Sequence, residues 1–448
     1  MKKNIYFFNI AAAFILTAVM MTGCKQAAAV ETAKQNGFHI ALKSGAHGTL
    51  TADPALPADG MVAKDAALTF TAVPDRDYEV DTWTGATQDS TDKNKAHLKV
   101  AAHTTVSVTF RAKAADTSLL KINAEGVLSG VTDKNALAGS LVIPNTVTRI
   151  DDNALSGCIR LTNIIIPNSV TEIDYKAFAG CLRLTHIAIP DSVQNISSKA
   201  FAGCADLESV TIGKGVYSLS GDAFQECPRL TGISVDPENT SYCHENNMVY
   251  SKDKEAIVFA AANSATGTFT VPNGVERIEH NAFSNCSELM NVTLPATVSD
   301  LASSAFAGCA KLRSISVDSA NTAYCSIGGI VYSHDKKAIT AIPEGLSGTV
   351  TLPDELKEIG WDAFENRTGL TGVTIGAGVT SIRYNAFRNC SSLTHITIKS
   401  AVLTNIDGGA FNGIKENVQF TVKTNEVKEL LKTQCNIADG QITVNPSL

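Results

Sequence analysis

The sequence predicts a mainly β fold, in which a solenoid of short repeated units follows a small β-sheet domain. Two observations favour this fold. Beyond residue 115 a unit of about 23 residues recurs, and between Phe38 and Arg111 apolar and polar residues alternate in period two. A repeat of this length is typical of stacked units that share one continuous core. Alternation in period two indicates half-buried strands.

Composition narrows the possible functions. Of the 448 residues 44% are hydrophobic and 18% are charged, which favours a globular chain over a disordered one. The formal net charge is -7, the pI is near 5.8, and no cluster of Lys and Arg is present. A nucleic-acid partner is therefore not expected, because such binding needs a basic surface.

The N-terminus is typical of an export signal. Two lysines and an apolar run from Phe7 to Met20 precede Met21-Thr22-Gly23-Cys24, and the run is too short for a stable transmembrane helix. The four residues resemble the bacterial lipobox, in which the cysteine is acylated and becomes the mature N-terminus. The resemblance implies a signal peptide over 1–23, a lipid on Cys24 and a tether over 24–36. A secretory peptide with an incidental Cys24 is the alternative.

The predicted location follows from that signal. We expect an exported lipoprotein at the outer membrane and exposed on the cell surface, although a lipoprotein that faces the periplasm stays open. No second apolar run approaches the roughly 20 residues that cross a bilayer. The lipid is thus the only membrane attachment that the sequence predicts.

Residues 37–113 are predicted to form the small β domain. Alternating segments end at turn signals such as Val73-Pro74-Asp75 and Trp83-Thr84-Gly85. This arrangement resembles the divergent internalin-type B repeat, which implies a spacer or adhesive module. We expect Trp83 to be a core residue of this sheet, with a ligand-stacking role as the alternative.

The repeated units are best followed through their Ala-Phe pairs. Successive pairs usually stand about 23 residues apart, and the step before the last copy is one residue longer. Two much longer steps, from Ala223 to Ala282 and from Ala305 to Ala363, indicate two insertions of about 36 residues. The first member of each pair is Ala154, Ala177, Ala200, Ala223, Ala282, Ala305, Ala363, Ala386 and Ala410, with Leu155 in place of Phe in the first copy.

Within a unit, each short segment has its own expected role. Leu161, Ile164 and Ile166 are spaced as a strand whose inward side chains enter the core, and Pro167 ends it because proline donates no ladder hydrogen bond. A second apolar stretch follows, and then a single helical turn opens at Ala-Phe. Gly180 closes that turn in the left-handed region; its position holds Gly or Asn in eight of nine copies, and Glu226 is the exception.

The eleven cysteines fall into groups according to their position in the repeat, and they form no redox motif. One repeat position holds seven of them and predicts an internal ladder of free, buried thiols: Cys158, Cys181, Cys204, Cys227, Cys286, Cys309 and Cys390. Distance alone does not exclude disulfides between neighbours. Cys243 and Cys325 match each other in the two insertions, and Cys435 stays unassigned.

The complete repeat carries a third resemblance. Cys-x-x-Leu-x-x-Ile-x-Ile-Pro-x-x-Val-x-x-Ile-x-x-x-Ala-Phe resembles the BspA-like, treponemal-type leucine-rich repeats of bacterial surface antigens. The resemblance implies a leucine-rich repeat solenoid over 114–448 with insertions that elongate single coils. We expect an irregular N-terminal coil over 118–143 and a strand-helix cap over about 414–448, since terminal repeats need polar ends.

Motifs for chemistry are missing from the sequence. The nine histidines form no His-x-x-x-His pair, and there is no Cys-x-x-Cys, Gly-x-Ser-x-Gly or phosphate-binding glycine loop. We therefore expect no enzyme activity, no metal and no cofactor.

A repeat solenoid instead offers a sheet face whose outward positions are free to bind. If the Leu161 set points inward, the residues between them point outward, and they are mostly small and polar. They are a candidate protein-binding face, with a simple solvated β-face as the alternative: Asn163, His186, Ser209, Asn291, Ser314, His395, Thr211, Thr293, Thr374 and Thr397.

These features favour one function and leave two others open. The leading hypothesis is a lipid-anchored surface protein that binds host extracellular-matrix or cell-surface proteins, or neighbouring bacteria. The first alternative is a lipoprotein that captures glycans or nutrients, for which exposed aromatic side chains would be expected. The second is a surface hydrolase, for which no residue can be named.

Overall fold

The computed structural model describes residues 37–262 and 264–448 of the chain. The predicted signal peptide, the tether and Cys24 lie outside the described residues. The described chain divides into two compact units, one that ends at Lys113 and one over Ala114–Leu448.

The first unit consists of two four-stranded sheets. Strands β3-β1-β8-β5 form one and β2-β4-β7-β6 the other, and only the β1–β8 pair is parallel. Phe70 and Val106 are fully buried, and Trp83 packs against this core while its indole N–H donates to the Lys93 carbonyl at 3.0 Å. Trp83 is therefore a core residue, as predicted. The strands β1 to β8 are Gly37–Ser44, Gly48–Asp53, Met61–Ala63, Ala67–Pro74, Tyr78–Thr84, Thr87–Gln88, Lys95–Lys99 and Thr104–Ala112.

The second unit is a β solenoid of about 14 turns that begins at about residue 127. It has more turns than the nine Ala-Phe copies because the inserted and terminal segments also add strands to its ladders. Strands β9 to β19 are Leu120–Ile122, Val127–Val131, Ala138–Val142, Arg149–Ile150, Arg160–Ile165, Glu172–Ile173, His186–Ile189, Asn195–Ile196, Ser209–Ile212, Ser218–Leu219 and Gly232–Val235.

The remaining strands run through the insertions to the C-terminus. Strands β20 to β30 are Tyr242–Glu245, Met248–Ser251, Ala256–Ala260, Gly267–Thr270, Arg277–Ile278, Leu289–Leu294, Asp300–Leu301, Ser314–Val317, Tyr324–Ile327, Ile330–Ser333 and Ile339–Ala341. Strands β31 to β38 are Gly348–Thr351, Glu358–Ile359, Leu370–Ile375, Ser381–Ile382, His395–Ile398, Asn405–Ile406, Gln419–Val422 and Ile442–Val444, and helix α1 is Asn425–Cys435.

Each coil contributes one strand to each of two parallel ladders. The longer strands form the sheets β11-β13, β15-β17-β19, β23-β25-β27 and β31-β33-β35-β37-β38. The two-residue strands form a second ladder, for example β12-β14-β16-β18, on the other side of the core. The apolar side chains between the ladders, such as Leu161 and Ile173, are fully buried.

The third side of each coil is a ladder of tight turns rather than a helix. The Ala177 and Ala179 N–H groups bond three residues back, while Phe178 and Gly180 donate to the next coil at 2.7 Å. The Phe rings stack at the same period: Phe178 and Phe201 lie 4.9 Å apart between ring centroids, with planes 6° apart. Alternation of local and inter-coil hydrogen bonds therefore ties every coil to its neighbour.

Both insertions form hairpins of the same construction. Strands β20 and β21 pair antiparallel around Asn246-Asn247, and β28 and β29 do so around Gly328-Gly329, with positive φ at both residues of each turn. Two left-handed residues define the type I′ turn that fits the twist of a hairpin. A third strand, β22 or β30, then returns the chain to the solenoid.

The C-terminal cap has one element more than expected. Thr424 caps α1 by accepting from the Val427 N–H, and Val427 and Leu431 bury one face of the helix. Beyond the helix, β38 pairs in parallel with β37 and continues the long ladder. The predicted strand-helix cap is thus a strand-helix-strand cap, because Ile442–Val444 is too short to show a pattern.

Candidate binding sites

All ten residues predicted for the binding face lie on strands of the long ladder. Their side chains are exposed or half-buried, whereas the residues between them are buried. Register pairing brings His186 beside Ser209 and Thr374 beside Thr397 in neighbouring strands. The repeat period therefore aligns the predicted positions into rows.

Hydrogen bonds join many of these side chains across the strands. The His186 Nδ1 and Ser209 Oγ atoms are 2.8 Å apart, and Asn163 Nδ2 donates to Ser140 Oγ at 3.0 Å. Similarly, Ser316 Oγ donates to Thr293 Oγ1 at 3.1 Å. Such pairs hold the row side chains in place and reduce the conformational entropy that a partner must remove on binding.

The rows are divided into segments instead of running without interruption. Asn163 belongs to the β11-β13 sheet, while His186, Ser209 and Thr211 share the next sheet. The first hairpin separates this sheet from β23-β25-β27, and the second hairpin separates β23-β25-β27 from the last sheet. The later sheets hold the other predicted residues, Asn291, Thr293 and Ser314 in one and Thr374, His395 and Thr397 in the last.

The ladder cysteines lie on the turn side of the core, away from the predicted face. All seven are buried, and none of the cysteines in the described part of the chain forms a disulfide. Cys204 donates its S–H to the Phe178 carbonyl of the preceding coil at 3.4 Å, and Cys390 does the same to Phe364 at 3.0 Å. Burial raises the pKa of Cys158 and of Cys390 to about 11, so these thiols stay protonated and unreactive at neutral pH.

Two clefts next to the insertions were not predicted from the sequence. Here a break in the two-residue ladder leaves strand β18 or β26 at the edge of its sheet. The first cleft, of about 420 Å³, is lined by Tyr217, Tyr242 and Arg277 among others. The second, of about 460 Å³, lies between β30 and β32 and includes Trp361 and Arg367.

Exposed aromatic rings accompany these clefts. Trp361 is 73% exposed, and Tyr384, which is 53% exposed, holds the same repeat position one coil further on. Neighbouring coils lie about 4.8 Å apart at the strand spacing. Trp361 lines the second cleft, and Tyr384 stands at the same position of the neighbouring coil, so two exposed aromatic side chains lie outside the long-ladder rows to which the sequence prediction was confined.

Three aspartates of the described residues lie close enough together to hold a metal ion. The carboxylate oxygens of Asp151, Asp152 and Asp174 lie within 4.8 Å of one another. However, Arg149 Nε donates to Asp174 at 2.5 Å, and Arg149 also pairs with Asp151 at 3.7 Å. The guanidinium offsets part of the negative charge of these carboxylates and holds Asp151 and Asp174 in an ion-pair network.

Two family models match the chain. A model described as a BspA type leucine-rich repeat region matches in six copies over residues 134–251, 257–334 and 346–445, about two thirds of the chain. The chain belongs to the BspA-type leucine-rich repeat family. A divergent InlB B-repeat domain matches residues 38–114. The resemblances to the divergent internalin-type B repeat and to the BspA-type repeat are confirmed, and members of this repeat family are bacterial surface proteins whose repeats suggest protein binding.

Solved structures match this chain at low identity. The pneumococcal vaccine antigen PcpA is 19% identical, with 78% of this chain and 87% of that chain covered and a TM-score of 0.48. A leucine-rich repeat protein from Eubacterium ventriosum is 18% identical, with coverages of 68% and 90% and a TM-score of 0.49. No relative was found among curated proteins. None of the helices in the described residues is both long and apolar enough to span a membrane.

Proposed function

We propose that the protein is a lipid-anchored bacterial surface protein that binds protein partners through the long-ladder face of its solenoid. The observation that carries this proposal is the alignment of small polar side chains in rows along the long ladder. The repeats also belong to a family whose members suggest protein binding. Backbone and side-chain groups fixed in register present hydrogen-bond donors and acceptors at a regular spacing, and small residues let a partner approach closely.

Adhesion is the specific activity that we propose. The partners are host extracellular-matrix or cell-surface proteins, or proteins of neighbouring bacteria. Purified protein should bind at least one member of a panel of matrix proteins, mucins and bacterial cells in a saturable manner. Lack of saturable binding across the panel would refute the adhesive function.

The proposed anchor has its own test. We propose acylation at Cys24, after removal of residues 1–23, with residues 24–36 as a tether for the folded units. In cells grown with a clickable palmitate analogue, the wild-type protein should become labelled. The Cys24→Ser variant should carry no label and should be absent from the membrane fraction. Protease treatment of intact cells should then cleave the wild-type protein, whereas full protection would contradict its surface exposure.

A second candidate function is glycan capture, and the exposed pair Trp361 and Tyr384 favours it. Flat aromatic faces stack on apolar faces of ligands, and Glu358 and Lys337 in the cleft add polar groups. On a glycan array, any ligand of the wild-type protein should be lost by Trp361→Ala. Tyr175→Ala is the matched control, because Tyr175 is exposed at the same repeat position in a coil without an insertion. Equal loss in both variants, or no glycan bound, would refute this candidate.

A further inference from the structure

The turn ladder of the solenoid is interrupted at the first insertion. In regular coils the left-handed residue donates its N–H to the next coil, as Gly203 does to the Gln225 carbonyl at 2.8 Å. Glu226 holds this position in the following copy, with φ of 58°. Among the described residues no hydrogen-bond acceptor is found for the Glu226 N–H, since the insertion separates this coil from the next turn at Ala282-Phe283.

The second insertion shows what fills the equivalent gap. There the left-handed residue is Gly308, whose N–H donates to Glu344 Oε1 at 2.7 Å. The Arg367 guanidinium lines the same space, and Glu344 opposes the lowering of the Arg367 pKa by burial. A side-chain carboxylate from the insertion thus replaces the missing backbone carbonyl of the next coil.

Among the described residues of the first insertion, the position that aligns with Glu344 offers no side-chain acceptor. Tyr250 and Ala256 in the first insertion correspond to Tyr332 and Ala338 in the second, and in the same alignment Ala262 corresponds to Glu344. The methyl group of alanine cannot accept a hydrogen bond. Ala262 instead lines a cleft of about 320 Å³ together with Glu226.

The walls and polar groups of this cleft favour a particular ligand chemistry. The rings of Phe224 and Phe259 line the cleft, with ring centroids 5.5 Å apart and planes tilted by 52°. Ser284, which is only 6% exposed, lines it with a hydroxyl group, and the Asn285 Nδ2 atom is also buried. Neither polar atom has a hydrogen-bond partner within the part of the chain that the structure describes. Buried polar groups of this kind are costly unless a ligand or water satisfies them.

We propose that this cleft binds a carboxylate attached to an apolar group. The N–H of Glu226, the Ser284 hydroxyl and the Asn285 amide offer hydrogen-bond donors, and the carboxylate of Glu344 occupies the corresponding place in the second insertion. The phenyl rings hold the apolar part of the ligand. The ligand is the C-terminal carboxylate of a peptide with an apolar last residue, or a free apolar carboxylic acid. This site is separate from the long-ladder face and does not depend on its function.

Binding of two probes by the purified protein tests the chemistry. N-acetyl-leucine carries the carboxylate and an apolar side chain, and N-acetyl-leucinamide lacks the charge. By the ligand efficiency of small ligands, we expect the acid to bind with a Kd on the order of 1 mM, and the amide at least tenfold more weakly. Chemical-shift titration measures both. Equal binding of acid and amide would overturn the proposal.

A hexapeptide that ends in leucine distinguishes the two sources of the carboxylate. Tighter binding of the peptide acid than of N-acetyl-leucine supports a polypeptide C-terminus, and equal binding supports a free carboxylic acid. If neither acid binds in the millimolar range, the proposal is wrong.

Ala262→Glu tests the location. It places a carboxylate where the second insertion has Glu344, so probe binding should fall at least tenfold while the unfolding temperature does not decrease. Ala102→Glu makes the same change at an exposed residue of the first unit and should leave binding unchanged. Equal affinities in the two variants would overturn the assignment. If Ala262→Glu fails to fold, Ser284→Ala takes its place and should weaken binding at least threefold.

Discussion

In every regular coil, the tight turns on the third side contain residues with left-handed backbone conformation. One stands two residues after the Phe of the Ala-Phe pair, and another stands just before the Ala, as at Lys176 and Lys199, with φ of 54° and 57°. The first position was visible in the sequence as a column of Gly and Asn. The second was missed because lysine, which lacks the special freedom of glycine, occupies it in two copies.

Two glycines at the first position should differ in their tolerance of alanine. A Cβ at Gly180 would lie 3.8 Å from its nearest neighbour, whereas one at Gly308 would lie 2.4 Å from Asn285 Oδ1. Gly180→Ala should therefore cost about 1 kcal/mol of backbone strain, and Gly308→Ala distinctly more. Urea unfolding followed by circular dichroism measures both, and equal costs would contradict the packing described for Gly308.

Glu226 provides the converse test. Its left-handed backbone carries a strain that glycine would not have, so Glu226→Gly should stabilise the solenoid by up to about 1 kcal/mol. Glu365→Gly, one residue before the equivalent position in another coil, serves as a control because Glu365 is not among the residues with positive φ. A lower urea midpoint for Glu226→Gly would contradict backbone strain at this position.

The buried thiols predict how stability depends on pH. Burial raises the pKa of Cys158 and Cys390 from the ordinary value of 9.0 to about 11 in the folded state. Above pH 9 the unfolded chain therefore loses protons that the folded chain keeps, and the free energy of unfolding falls as pH rises toward 11. The loss is about 1.4 kcal/mol for each unit of pKa difference per thiol.

Urea midpoints at pH 8, 9, 10 and 11 measure this effect. The double variant Cys158→Ala and Cys390→Ala should start from a lower stability but decline less steeply. A decline of the same slope in both proteins would show that these two thiols do not cause it.

Each insertion interrupts the two-residue ladder, and a tyrosine of the insertion hydrogen-bonds to the strand edge that is left unpaired. The Tyr242 hydroxyl accepts from the Leu219 N–H at 3.1 Å and donates to the Tyr217 carbonyl at 3.1 Å. Tyr324 does the same for the Leu301 N–H and the Ser299 carbonyl. One side chain thus satisfies a donor and an acceptor of an edge strand that has lost its neighbour, as edge strands require.

Removal of that hydroxyl should destabilise the insertion. Tyr242→Phe leaves the backbone N–H and C=O groups of the edge strand unpaired, at a cost of about 1 to 3 kcal/mol. Tyr217→Phe is the matched control, since the Tyr217 side chain is exposed and should change stability by less than about 0.5 kcal/mol. Hydrogen exchange of the Leu219 amide should also quicken in Tyr242→Phe, and unchanged exchange would contradict the described bond.

How far the sequence predicts a structural feature depends on how often that feature is repeated along the chain. The repeat period predicts the coils, the buried and outward positions and the thiol ladder, because each is repeated up to nine times. The two long steps between Ala-Phe pairs, from Ala223 to Ala282 and from Ala305 to Ala363, reveal the two insertions. Neither the clefts nor the pairing of Tyr242 with β18 could be predicted, because they arise where segments far apart in the chain meet only once or twice.

For the whole solenoid, the same repetition that builds the core builds the outward rows. Inward Leu, Ile and Phe side chains fill the interior, and the parallel pairing places Thr351, Thr374, Thr397, Thr421 and Thr443 in register across five strands. A row of this kind is stiff because each strand is hydrogen-bonded to its neighbours. The hairpins divide such rows into segments, so a partner meets several short polar faces.

The last of these segments, with its threonine row, gives the most direct test of partner binding through the long-ladder face. Thr374→Arg adds a bulky charge in the middle of the row, and Thr380→Arg adds the same charge to an exposed residue of the same coil outside the long-ladder strand. Biolayer interferometry against the tightest protein partner found in the panel measures the Kd of each variant. We expect at least a tenfold weaker Kd for Thr374→Arg and an unchanged Kd for Thr380→Arg, whereas equal values would contradict binding through this face.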